Sequence, residues 1–92
     1  MDTQDIRQWT DQTMGNASFS EHELNHVTMC LEHIWRWYHE DYPLGGFLTA
    51  LVRNDFCEAF FRADDVDLRA LYIYAIFLAS KMPSDYRKKA IS

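Results

Sequence analysis

An all-α fold is predicted for this chain by three observations. Apolar residues recur at alternating spacings of three and four, helix-capping residues precede two of the apolar runs, and proline or glycine stands at the run boundaries. The expected architecture is a bundle of three main helices, about residues 21–40, 47–62 and 65–81, with a weaker N-terminal helix over residues 3–14.

The sharpest start signal is FSEHEL. Ser20 as N-cap and Glu23 three residues on make a capping box, while Phe19 and Leu24 occupy the two positions of a hydrophobic staple. From there Leu24, Val27, Leu31, Ile34 and Tyr38 lay one apolar stripe along a helix to Glu40. Trp35 and Trp37 widen it, and Glu21, Asn25, Glu32, Arg36 and His39 fall on the other side. Pro43 disfavours helical geometry at Tyr42 and closes the helix. Gly45 and Gly46 are read as a chain reversal with backbone angles that other residues resist.

The second main helix follows, with Leu48, Val52, Phe56, Ala59, Phe60 and Ala63 on one face and Asn54, Glu58 and Arg62 turned away. The third starts at Asp64, with Asp65 and Asp67 in its first turn complementing the helix dipole. From Ala70 to Ala79 it carries no charge, so it is expected at the centre, covered on most sides, with Leu71, Ile73, Tyr74, Ile76, Phe77 and Leu78 supplying most of the core. Pro83 stops it, and Ser84 is placed to cap a last turn through Tyr86. The N-terminal helix is marked by Ile6, Trp9 and Met14 and ended by Gly15 and Asn16. Short connections favour antiparallel neighbours.

A chain of 92 residues is one domain, and one of this size buries about 60 to 65 % of its unfolded surface. Residues 1–18 are read as a peripheral segment and 84–92 as a short basic tail. Neither a secretory signal nor an anchor is legible in MDTQDIRQWTDQ, so a cytoplasmic site of action and no membrane association are expected. Cys30 and Cys57 both fall inside predicted helices and are read as buried reduced thiols. Three tryptophans, five tyrosines and six phenylalanines are more aromatic area than three helices readily hide, which predicts an exposed apolar patch including Trp35 or Trp37, and a homodimer.

His22, His26, Cys30 and His33 lie along one helical stripe at steps of four, four and three and form the most metal-like constellation. Four donors spread over about three turns of one helix do not converge on a tetrahedron, so a closed site needs ligands from elsewhere. No metal and no cofactor are expected. The pair for an adventitious zinc or nickel ion is His22 with His26, at an edge. No catalytic residue is identified, because the serines are explained as caps and neither cysteine sits by a helix start flanked by basic residues. Asp55 is placed near the edge of the apolar face, with Arg53, Arg62 or a backbone amide as partner.

A formal net charge of −5 argues against direct nucleic-acid binding. Seven acids, Glu40, Asp41, Asp55, Glu58, Asp64, Asp65 and Asp67, stand between residues 40 and 67 against only Arg53 and Arg62, while Lys81, Arg87, Lys88 and Lys89 gather near the C-terminus. The run GGFLTALVRNDFCEAFFRADD, followed by an apolar helix ending in proline, resembles a group of small proteins encoded by bacteriophages and prophages. The matching positions are Gly45, Gly46, Phe47, Leu48, Thr49, Ala50, Asn54, Asp55, Ala59, Phe60, Ala63 and Asp64, within roughly residues 42–84. Such chains often continue into a tail bearing glycine and tryptophan, whereas this one ends SDYRKKAIS.

The resemblance implies no assigned activity. Two functions are therefore expected in competition. The first is an interaction protein that binds and modulates, as an inhibitor, a host protein through Glu40, Asp41, Glu58, Asp64, Asp65, Asp67, Trp35 and Trp37. The second is a small ligand-binding or minimal enzymatic domain with a pocket near Gly45, Gly46, Asn54 and Asp55. Within the first, the carboxylates of Asp64, Asp65 and Asp67 standing in for nucleic-acid phosphates is the narrower version.

Overall fold

The computed structural model describes residues 1–14 and 19–91, and every regular element among them is a helix. In chain order these are α1 (Thr3–Met14), α2 (Glu21–Glu40), α3 (Gly46–Val52), α4 (Phe56–Arg62), α5 (Asp65–Arg69), α6 (Leu71–Ser80) and α7 (Tyr86–Ile91). The end of α1 assigned to Gly15 and Asn16, and the contribution of the Met14 side chain, lie outside the described residues.

α2 forms as its sequence requires. Ser20 accepts from the Glu23 amide, and Glu23 in return accepts from the Ser20 amide at 2.9 Å, closing the capping box. Val27, Leu31 and Ile34 point inward and are fully buried, while Leu24 and Tyr38 are half-buried at the ends of the stripe. The helix ends at Asp41, whose left-handed backbone (φ 56°) lets its amide reach back to the Arg36 carbonyl.

Both other long helices predicted from periodicity are broken. The run 47–62 divides into α3 and α4 at Asn54, which adopts φ 60°, and at Asp55, whose carboxylate accepts from the Glu58 amide at 3.2 Å and starts a new helix. The break turns α4, so that of its residues only Ala59 is buried; Phe56 and Phe60, expected in the core, are more than half exposed. The run 65–81 divides at Ala70 into α5 and α6. Ile73, Tyr74, Phe77 and Leu78 are buried, but Tyr72, Ala75, Ile76 and Ala79 line an open face, so Ile76 does not belong to the core.

Neither end of the chain is peripheral. In α1, Ile6 and Thr10 are fully buried, and the Trp9 ring meets Phe77 edge-on at 5.2 Å between centroids. Arg7 ties α1 to α2 through Glu21 at 2.9 Å and through Asn25. The basic tail folds as α7: Tyr86 and Ala90 are buried, Arg53 donates to the Ala90 carbonyl at 2.9 Å, and Lys89 pairs with Asp41.

The glycine pair does not act as expected. Gly45 is the N-cap of α3 with ordinary extended angles and open space where a Cβ would stand. A Cβ on Gly46 would approach the Arg62 guanidinium at 2.8 Å, the far end of a flexible side chain that can move aside. The left-handed positions are Asp41 and Asn54 instead, residue types with short polar side chains that tolerate that region.

Candidate functional site

The packing of α2, α5 and α6 brings four polar side chains to one point. His26 and Cys30, one helical turn apart, flank the buried stripe of α2 and face α5. Asp64 caps α5 by accepting from the Asp67 amide at 2.9 Å, which fixes Asp67 in the first turn with its carboxylate directed inward. Asp67 is buried, its Oδ1 accepts from the Tyr74 hydroxyl at 2.7 Å, and His26 Nε2 lies 3.0 Å from the same oxygen. Cys30 Sγ stands 3.6 Å from His26 Nε2. No buried side-chain nitrogen or oxygen among the described residues lacks a partner.

Electrostatically the cluster keeps its protons on sulfur and phenol. Burial pushes the Cys30 thiol up to about 11, opposed by a hydrogen bond with Tyr74 and reinforced by the Asp67 and Asp64 carboxylates. Burial likewise raises the Tyr74 phenol, with Cys30 and Asp67 adding to the shift. A thiol held protonated is a poor nucleophile. The geometry also argues against a nucleophile–base–acid relay, which uses both imidazole nitrogens in series. Here the thiol and the carboxylate both face Nε2.

Among the described residues, His26, Cys30 and Asp67 are the group whose donor atoms gather as metal ligands would, all within 4.8 Å of one another. His22, expected to share an edge site with His26, is exposed and outside this group, and His33 packs its ring on Tyr42 at 4.8 Å. The sequence stripe therefore contained two of the three members. The third lies 41 residues away from His26 and was read in the sequence as a dipole-complementing acid and a partner contact, not as a ligand.

The acidic residues do not form one open face. Asp67 is buried in the polar cluster and is removed from any surface a partner could read. Glu40 pairs with Arg36, Asp41 with Lys89, Glu58 with Arg62 and Asp65 with Arg69, while Asp64 and Asp55 serve as caps. Trp35 and Trp37 are half-buried against the core, contrary to the exposed patch expected there. Of the pocket alternative, Gly46 and Asp55 line a shallow depression of about 390 Å³ with Arg53, Glu58 and Arg62. Asn54 lines a different groove, and Asp55 is exposed.

That second groove, of about 510 Å³, runs between α4, α6 and α7 and is lined by Phe56, Ala75, Leu78, Ala79 and Met82 among others. Phe60 lies one turn beyond Phe56 on α4, and its ring meets Phe61 edge-on at 5.9 Å. Phe61 is 82 % exposed, and Tyr72 and Ile76 are exposed on α6. Sequence reading missed this face. The signal was Asp55 with Glu58 three residues later, a cap signature inside an assumed helix, followed by adjacent phenylalanines that one helix cannot both turn inward. Cys57, expected buried, is exposed on the same helix.

No helix among the described residues is long and apolar enough to cross a membrane. No protein-family model, curated protein or solved structure matches this chain.

Proposed function

We propose that this chain is a small interaction protein that captures another protein on the apolar face of α4 and α6. The observation that carries the reading is Phe56, Phe60, Phe61, Tyr72 and Ile76 standing in solvent on a surface of otherwise ordinary extent. The accessible area is 5451 Å², close to the roughly 5,600 Å² expected of a folded monomer of 10.9 kDa, so these rings are not exposed by an open fold. Aromatic anchors in a mixed surface are where binding energy concentrates.

The occupant that fits is an amphipathic segment of a different protein, apolar on the contacting side and cationic around it. A net charge of −5 favours a basic partner and disfavours a second copy. The resemblance of residues 42–84 to phage and prophage proteins supports a host protein in that role and inhibition as the outcome. The protonated thiol and the missing relay at Cys30 support binding rather than catalysis.

The test begins with capture from bacterial lysate, identification of the captured protein, and affinity measurement with the purified pair. Phe60→Ser with Phe61→Ser should weaken binding by about tenfold or more without loss of helicity. Asp65→Lys should reduce mainly the association rate and its salt dependence. Unchanged affinity in the double phenylalanine variant would overturn the proposal, as would sedimentation showing a dimer that the same variant dissociates, since the face would then serve self-association.

A further inference from the structure

The geometry points to a second site, independent of the apolar face: we propose that His26, Cys30 and Asp67 bind a thiophilic divalent transition metal, zinc foremost, through Nε2, Sγ and a carboxylate oxygen, with a water as fourth ligand. Three features carry this. The donor set of one imidazole, one thiol and one carboxylate belongs to zinc rather than to calcium or magnesium, which take oxygen. His26 and Cys30 stand four residues apart on a rigid helix, the spacing that lets two side chains of one helix share an ion. The third ligand arrives from a separate helix, so the three donors meet at a point rather than along a line.

The distances fit the ion. For metal–sulfur and metal–nitrogen bonds of about 2.3 and 2.05 Å at tetrahedral angles, the sulfur–nitrogen edge is about 3.5 Å and the nitrogen–oxygen edge about 3.3 Å. The structure has 3.6 and 3.0 Å. Only the Sγ–carboxylate edge, within 4.8 Å, has to shorten appreciably. The His26 side chain is 30 % exposed and opens the cluster to solvent on one side, giving the ion an entry and a water its place.

Charge and proton balance are also met. A divalent ion with one thiolate and one carboxylate is neutral overall, which suits a buried position. As the ion binds, the Cys30 thiol proton passes to solvent, and His26 Nε2, which faces Asp67 Oδ1 in the metal-free chain, turns its lone pair to the ion with its ring proton on Nδ1. The Tyr74 hydroxyl, donating to Asp67 Oδ1, then orients the ligating carboxylate as an outer-shell partner.

The experiment titrates cobalt(II), a spectroscopic stand-in for zinc, into the metal-free full chain. The expected result is one equivalent bound, with a thiolate-to-cobalt charge-transfer band and tetrahedral visible bands, both bleached by added zinc. Cys57→Ser and His22→Gln should leave the spectrum unchanged. Cys30→Ser should abolish the charge-transfer band, and Tyr74→Phe should weaken binding by about 10- to 100-fold. His26→Gln, at a partly exposed position where folding is least at risk, should weaken it at least as much. Absence of a thiolate band with excess cobalt on the folded wild-type protein would overturn the site, leaving a hydrogen-bond network alone. A band lost in Cys57→Ser but kept in Cys30→Ser would overturn it equally.

Discussion

α2 and α4 both read from the sequence as amphipathic helices, yet one buries its apolar stripe and the other displays it. α2 is 20 residues long, anchored by a capping box, and flanked by α1 along one side and by α3 and α5 on others. Its stripe has neighbours to meet. α4 is seven residues, begins anew at Asp55, packs mainly against α3, and has Ala59 as its one buried residue. The difference teaches that periodicity reports a helix's potential to bury a face, whereas burial depends on another element lying opposite. The shortest dimension of the molecule is 19 Å, about two helix layers, so every helix keeps an outer side.

The largest expected effect contrasts the two sides of α6. Phe77→Ala empties a fully buried position beneath Trp9 and should cost about 3–5 kcal/mol in chemical denaturation, whereas Ile76→Ala on the open face should cost under about 1 kcal/mol. Similar losses at both positions would mean that α6 is buried all round.

Next come the acids. Asp67→Ala leaves the Tyr74 hydroxyl and His26 without their shared acceptor and should destabilise by about 1–3 kcal/mol, while exposed Asp65→Ala, losing one surface ion pair with Arg69, should fall within about 0.5 kcal/mol. Equal effects would place Asp67 on the surface with the other acids.

The caps separate at about 1 kcal/mol. Ser20→Ala should cost about that amount by opening the box at the start of α2. Asn54→Ala should cost a similar amount by forcing an alanine into the left-handed region, and Asn54→Gly almost nothing. If Asn54→Ala were neutral, α3 and α4 would be a single helix. Finally, Phe60→Ser should change stability by no more than about 0.5 kcal/mol while lowering the binding of an apolar dye. Thiol labelling at neutral pH should modify exposed Cys57 quickly and Cys30, protonated and buried, only on unfolding.

Much of α2 was legible in the sequence because its instructions are local: Ser20, Glu23 and the Val27–Leu31–Ile34 spacing act over three or four residues, within the reach of one helical turn. The break at Asn54 and Asp55 was equally local and carried its own cap signature, but the apolar periodicity running across it pointed the other way. α7 was obscured by its charge, since Tyr86 and Ala90 are buried among basic residues, of which Arg87 and Lys88 are exposed and Lys89 is half-buried.

The sequence by itself determined that the chain is helical, where α2 begins, and that Asp64 starts a helix, because those are hydrogen bonds between near neighbours. Only the tertiary structure decided which side of α6 is core, since Ala70 to Ala79 is uncharged and offers no polar face to orient it. Only the tertiary structure, too, brought Asp67 against His26 and Cys30. A contact between residues 41 positions apart depends on how three helices pack, which is set by the summed burial of the whole core and not by any motif at either end.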